Sequence, residues 1–461
     1  MYIQQLYTNC LAESAYYIES DGEAAVIDPL RDIDAYLALA EKRGAKIKFV
    51  FETHFHADFV SGHIDLAQQS GASIIFGPGA KTGYPIYNAK DEEVFQIGKI
   101  KIKALHTPGH TPESTSYLLF DAEEKPHAIF TGDTLFVGDV GRPDLLDGMM
   151  TKESLAGMLY DSLQNKIKTL PDEVIVYPAH GAGSACGKNI GKDAWSTIGE
   201  QKKNNYALQN RSKEEFISLI TQGLTAPPAY FFEDARINKE GYTSRELVMQ
   251  NSMNALSIID FEGYIQKHAL ILDTRQADEF ENGFIKNSLN IGLEGTFAIW
   301  LGTLVNINTP IILITEEGKE KESISRMLRI GFENIKGYLE GGIQTWLASE
   351  RKIEKINSID ADAFEEEIKN KKYTLLDVRN KTEYENGHVK GALHFPLSSL
   401  QTNYSALQTD TEYMIYCGGG YRSMIASSIL KSKGYHQITN IYGGWAKIKN
   451  TGVEKVVFEI V

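Results

Sequence analysis

The sequence predicts an α/β protein of several domains, and three observations carry that reading. The chain has 461 residues, a length that suits about three domains of ordinary size. Its first half alternates short β-rich runs with turns, and polar clusters fall just past the ends of the apolar runs. Farther on, a strand–helix–strand pattern that begins at Leu272 begins again at Leu376.

Composition narrows the setting. Hydrophobic residues make up 42% of the chain and charged residues 23%, so each domain has apolar material for a core. The formal net charge is -14, which repels a phosphate backbone and excludes nucleic acid as an expected partner. No apolar run reaches the length of a membrane span, and Met1 to Gln5 lack the basic and apolar regions of a signal peptide. Cys10, Cys186 and Cys417 are too scattered for a disulfide framework, so a reducing, cytoplasmic setting with no membrane partner is expected.

Residues 24–28 and 49–53 are apolar runs that close on polar residues, the pattern of buried strands. Residues 100–106 alternate, 117–120 and 128–131 are short strands, and 174–177 delivers the chain to Pro178-Ala179-His180. A helix opens 211–250, Ala226-Pro227-Pro228 breaks it, and an irregular connector follows. In the repeat, Leu272-Asp273-Thr274-Arg275, Glu279-Phe280 and Gly283-Phe284-Ile285 are echoed by Leu376-Asp377-Val378-Arg379, Glu383-Tyr384 and Gly387-His388-Val389. Each copy closes on a glycine pair with tryptophan, Gly341-Gly342 with Trp346 and Gly443-Gly444 with Trp445. Two small α/β domains of one kind are expected.

The strand-end clusters of the first half carry metal chemistry. His54, His56 and Asp58 stand at i, i+2 and i+4, a spacing that lets a loop fold donors over one ion or a close pair. His110 follows Pro108-Gly109, Asp133 follows Thr131-Gly132, and His180 follows Pro178-Ala179. A lone histidine is more often a surface or core residue. Four clusters beyond strand ends, where loops carry function, indicate a metal site instead. Cys186 stands in a glycine-rich loop, either as a sulfur relay or as a small buried hydrophobe. Arg142 offers a cation for a ligand's carboxylate or phosphate, or else pairs with Asp144.

A different chemistry belongs to Cys417-Gly418-Gly419-Gly420-Tyr421-Arg422. Consecutive glycines let backbone N–H groups turn inward as a nest for negative charge. The helix expected from Ser423 onward points its positive end at the same place. Both ready the thiol as a nucleophile or sulfur carrier. The first copy has Thr315-Glu316-Glu317-Gly318-Lys319-Glu320 in the corresponding stretch, without cysteine and with carboxylates that oppose an anion.

The histidine and aspartate clusters of residues 1–245 resemble the metallo-β-lactamase superfamily, and the two copies resemble the rhodanese family. The resemblance implies an αββα sandwich over 1–245, a rhodanese-like domain lacking the active cysteine over 246–352, and a rhodanese domain with Cys417 over 353–461. Phe59 stands where the superfamily signature His-x-His-x-Asp-His has its last imidazole, a departure that resembles the persulfide dioxygenase branch. That branch implies one Fe(II) held by His54, His110 and Asp133, with His56, Asp58 and His180 as supporting or vestigial second-site groups. The cysteine loop implies a persulfide on Cys417, with Arg422 and Cys186 as further catalytic candidates. Arg142, Gly418, Gly419, Gly420 and Tyr421 become the substrate-binding candidates. The implied activity is oxidation of a low-molecular-weight thiol persulfide by O2 to sulfite, with Cys417 transferring sulfur toward thiosulfate in sulfide detoxification, in a homo-oligomer. The alternative is a zinc thioester hydrolase of glyoxalase type, with two metal ions and an attached rhodanese.

Overall fold

The structure is a computed structural model that describes residues 1–145, 150–224, 226–370 and 373–457. The chain falls into two compact units, Met1–Val248 with Met327–Phe332, and Met249–Arg326 with Glu333–Val461.

The first unit is built on two six-stranded sheets. One follows chain order through Tyr2–Thr8, Glu13–Ser20, Glu23–Ile27, Lys46–Phe51, Ser73–Phe76 and Tyr87–Asn88. Its first three strands pair antiparallel. Pairing turns parallel between Glu23–Ile27 and Lys46–Phe51, because helix Asp34–Arg43 carries the chain back across the sheet. The other sheet runs Ser196–Thr197, Ile175–Pro178, Pro126–Gly132, Thr115–Phe120, Ile100–His106 and Val94–Ile97.

The period of two along each strand sends alternate residues to opposite faces. Tyr16, Ile18, Ala25, Ile27, Phe51, Tyr117, Leu119 and Phe130 fill the core between the sheets. Tyr17, Val26 and Val50 face outward onto Tyr36 and Ala40 of the first helix. Leu118, Ile129 and Val176 do the same against Leu159 and Leu163. Helices cover both outer faces, giving the expected αββα sandwich. Strands buried on both faces read as continuous apolar runs, which is why 24–28 shows no alternation.

Two expectations need correction. The strand expected over 49–53 closes at Phe51, so Glu52 and Thr53 already belong to the loop that carries His54. Residues 211–250 hold three helices, Lys213–Thr221, Tyr230–Glu240 and Arg245–Ser252, in place of one helix and an irregular connector. Gly241, at φ +99°, turns the chain between the last two and cuts their apolar pattern into pieces too short to read.

The second unit contains two parallel five-stranded sheets of one topology. The first is ordered Ala255–Leu256, Ile335–Leu339, Ile311–Ile314, Leu270–Asp273, Leu289–Asn290. The second is ordered Asn357–Ile359, Ile438–Ile441, Tyr413–Tyr416, Thr374–Asp377, Leu393–His394. The repeated sequence therefore folds as a repeated structure. Among the described residues no helix is long and apolar enough to cross a membrane.

Candidate metal centre and thiol loop

Among the described residues of the first unit, His54, His110 and Asp133 bring one donor atom each within 4.8 Å of one another. All three are buried. Each comes from a loop just past a strand, and each is aimed by a neighbour. His54 Nδ1 lies 2.9 Å from Thr53 Oγ1, and that hydroxyl donates to Asp28 Oδ2 at 2.8 Å. His110 Nδ1 is 2.8 Å from the Arg142 carbonyl. A ring that donates from Nδ1 keeps its Nε2 lone pair for a metal. Asp133 Oδ1 is bound to His180 Nδ1 at 2.8 Å, while its Oδ2 has no hydrogen-bond partner and lies 3.4 Å from His110 Nε2.

The charges fit a cation. Burial, then the neighbouring His56, pushes His54 well below the ordinary imidazole range, so it is neutral. Burial alone would raise the Asp133 carboxyl, but the His180 and His110 rings hold it well below the carboxylate range. Burial likewise opposes charge on His180, yet Asp133 and Asp58 on its two sides hold its pKa well above normal. Two imidazoles fixed through Nδ1, and one carboxylate with an unpartnered buried oxygen, suit a divalent ion.

A second group, Asp58, His180 and Cys186, lies beside the first, joined through the His180–Asp133 contact. Cys186 is buried, and burial with the Asp58 and Asp133 carboxylates pushes its thiol well up, so it stays protonated. His56 is turned elsewhere. Its Nε2 lies 3.1 Å from Asp28 Oδ1 and 3.7 Å from Glu52 Oε2, and the Phe59 ring packs 4.3 Å from its own. Asn238 holds this turn: its Nδ2 donates to the His56 and Phe59 carbonyls, both at 2.7 Å, and its Oδ1 accepts from Ser61 N at 2.9 Å. Asn238, Asp28, Glu52 and Thr53 escaped the sequence reading. Only the Asp28–Thr53 pair had a local signal, as polar residues ending apolar runs.

A cavity of about 510 Å³ opens on His110, lined by Phe55, Thr111, Glu113, Leu145 and Phe232, with Lys81, Arg236 and Lys239 among its cations. Arg142 is not in that lining. Its guanidinium is buried and closed on Asp144 by two bonds of 2.7 and 2.8 Å, the pairing given above as the other reading of this residue. Arg142 serves the site through its backbone carbonyl.

In the second unit, Cys417 follows the strand Tyr413–Tyr416 and is buried. Its Sγ accepts from Gly420 N at 3.1 Å. Gly420 sits at φ +110° and opens the helix Tyr421–Ser432, so glycine is required there. The Gly443-Gly444-Trp445 motif finds its reason here. Trp445 N donates to the Cys417 carbonyl at 2.7 Å, and a Cβ on Gly444 would stand 2.4 Å from that oxygen. Arg422 forms two bonds of 2.6 Å to Glu383. The Tyr421 hydroxyl donates to Gly292 O at 2.8 Å.

The description "Metallo-beta-lactamase superfamily" matches residues 8–180, and "Rhodanese-like domain" matches 259–349 and 360–451. A cytoplasmic hydroxyacylglutathione hydrolase of Arabidopsis thaliana is 36% identical over 37% of this chain and 65% of its own. Glyoxylase B2 of Dictyostelium discoideum is 30% identical over 45% of this chain and 72% of its own. A crystal structure described as a metallo-beta-lactamase from Staphylococcus aureus is 31% identical with TM-score 0.66, covering 74% of this chain and 99% of that one. The chain spans about three fifths of the length of the first curated relatives it matches.

Proposed function

The chain belongs to the metallo-β-lactamase superfamily and carries two rhodanese-like domains, and from that premise we propose a persulfide dioxygenase joined to a sulfurtransferase. The observation that carries this reading is the three-donor set with His56 turned away: His54, His110 and Asp133 converge, while His56 faces Asp28 and Glu52 under Phe59. Two imidazoles and one carboxylate are the donor set of non-haem iron oxygenases, which leave positions open for O2 and substrate. An iron bound there would supply the redox chemistry.

The protein's own residues supply the rest. Thr53 and the Arg142 carbonyl fix the two rings, and His180 fixes the carboxylate. Phe55, Leu145 and Phe232 line a partly apolar cavity, and Lys81 and Lys239 offer charge to the acidic group of a small thiol. Overall, a persulfide, O2 and water give a thiol, sulfite and two protons. Sulfite attacking the outer sulfur of a Cys417 persulfide then releases thiosulfate and the Cys417 thiol.

A second reading, a two-zinc thioester hydrolase, is favoured by the relatives named hydroxyacylglutathione hydrolase and by the Asp58–His180–Cys186 group beside the first. Metal analysis with O2 uptake on a thiol persulfide separates the two. One iron with uptake supports the dioxygenase; two zinc ions with thioester cleavage and no uptake overturn it. Asp133→Ala should lower both iron content and O2 uptake by roughly 100-fold or more, while sulfur transfer by Cys417 persists.

A further inference from the structure

We infer that the thiol-free first repeat positions the sulfur-carrying loop of the second, holding the Gly420 N–H on Cys417 through Tyr421. The inference rests on the reading of Cys417 as a sulfur carrier.

Its own repeat holds the loop's backbone through Trp445 N on the Cys417 carbonyl at 2.7 Å and Ala446 N on the Gly418 carbonyl at 3.0 Å, but gives it no side-chain packing. Gly418, Gly419 and Gly420 have no side chains to pack, and a Cβ on Gly419 would meet nothing within 4 Å. Three glycines in a row carry the highest backbone entropy a loop can have. Its donor to sulfur, Gly420 N, precedes Tyr421, so whatever fixes Tyr421 fixes that donor.

Tyr421 is fixed by the first repeat. Its hydroxyl donates to Gly292 O at 2.8 Å, and its ring covers Gly295, where an added Cβ would stand 3.2 Å from ring carbons. Gly295 has φ +120°, so glycine is demanded there twice over. The rest of the helix is held from the same side. Met424 packs with Phe280 and Phe284 of the first repeat and with Ile356 just beyond it, and Ser428 Oγ accepts from Asn290 N at 3.1 Å. Positions 421, 424 and 428 are i, i+3 and i+7, one face of a helix. That face is given to the first repeat, and Ser423, near Cys417 Sγ, lies off it. Tyr421 is thus a positioning residue: its hydroxyl is committed to Gly292 O, and it acts through Gly420.

The test uses the full-length protein carrying Tyr421→Phe, Gly295→Ala and Ser428→Ala separately, with thiosulfate as sulfur donor and cyanide as acceptor. The Gly420 N–H meets charge that develops on sulfur during transfer, so a looser donor should lower kcat with KM for thiosulfate little changed. We expect Tyr421→Phe to lower kcat about five-fold and Gly295→Ala about ten-fold or more, with a smaller loss for Ser428→Ala. Iodoacetamide labelling of the Cys417 peptide, read by mass spectrometry, should change in the same order. Lower melting temperatures with wild-type kcat and labelling would mean a merely structural contact and overturn the inference. If Gly295→Ala does not fold, Tyr421→Phe and Ser428→Ala decide it. If the wild type transfers no sulfur, the carrier reading fails, and labelling still tests the positioning: identical rates across the variants overturn it.

Discussion

In the first repeat Thr315 follows the strand Ile311–Ile314, and in the second Cys417 follows Tyr413–Tyr416, with the strand ends Ile314 and Tyr416 in the same register against Asp273 and Asp377. Around these two positions the frames agree almost bond for bond. Arg275 closes on Asp273 at 2.9 and 2.6 Å and reaches the Gly283 carbonyl; Arg379 closes on Asp377 at 2.9 and 2.6 Å and reaches the Gly387 carbonyl. Gly342 and Gly444 approach the Thr315 and Cys417 carbonyls from the same side. Chemistry separates at the loop. Glu383 is paired with Arg422, which overcomes burial and lowers its carboxyl pKa. Its counterpart Glu279 meets burial and then Glu316, and its pKa is raised. A shared scaffold therefore holds a thiol site and a carboxylate-lined blank, and sequence in six residues decides which.

Three substitutions press on that comparison. The largest effect is expected from Cys417→Ser, which makes the second repeat as thiol-free as the first: sulfur transfer to cyanide should vanish while O2 uptake on a persulfide continues. If uptake also stops, the thiol feeds the metal site instead of following it. Glu383→Gln leaves Arg422 without its counter-charge. A part-buried pair like this is worth about 1 kcal/mol, so transfer should slow about five-fold, measured as kcat/KM for thiosulfate. The smallest change is expected from Thr315→Cys added to Cys417→Ser. A thiol at the right strand end, but among Glu316 and Glu317 and without the glycine nest, should recover no turnover above background. Recovery would mean that position alone, without the loop, makes the carrier.

The pairing of sequence with structure differs between the sites. The thiol loop was readable because its parts are contiguous: Cys417 to Arg422 adjoin, and the Gly443-Gly444-Trp445 motif that cradles them is a matched feature of the repeat. The candidate metal donors were readable singly, each behind a strand end. Their aim was not. That Asn238, in a stretch read as irregular, bonds the His56 carbonyl nearly two hundred residues away is invisible to any local pattern. Arg142 stays between two readings for the same reason, since a guanidinium in a loop looks alike whether it faces a ligand or, as here, Asp144.

Local pattern in the sequence was enough for the strand-and-turn alternation of the first half, the duplicated α/β frame, the absence of a thiol from one copy and the donors available to a metal, because periodicity and short motifs are local quantities. The two-sheet sandwich was implied only by the family resemblance. Only the folded chain decided that His56 faces carboxylates, that Asp133 is braced by His180, and that the first repeat holds Tyr421. Those outcomes depend on contacts between distant segments, and packing, which settles them, leaves no mark on neighbouring residues.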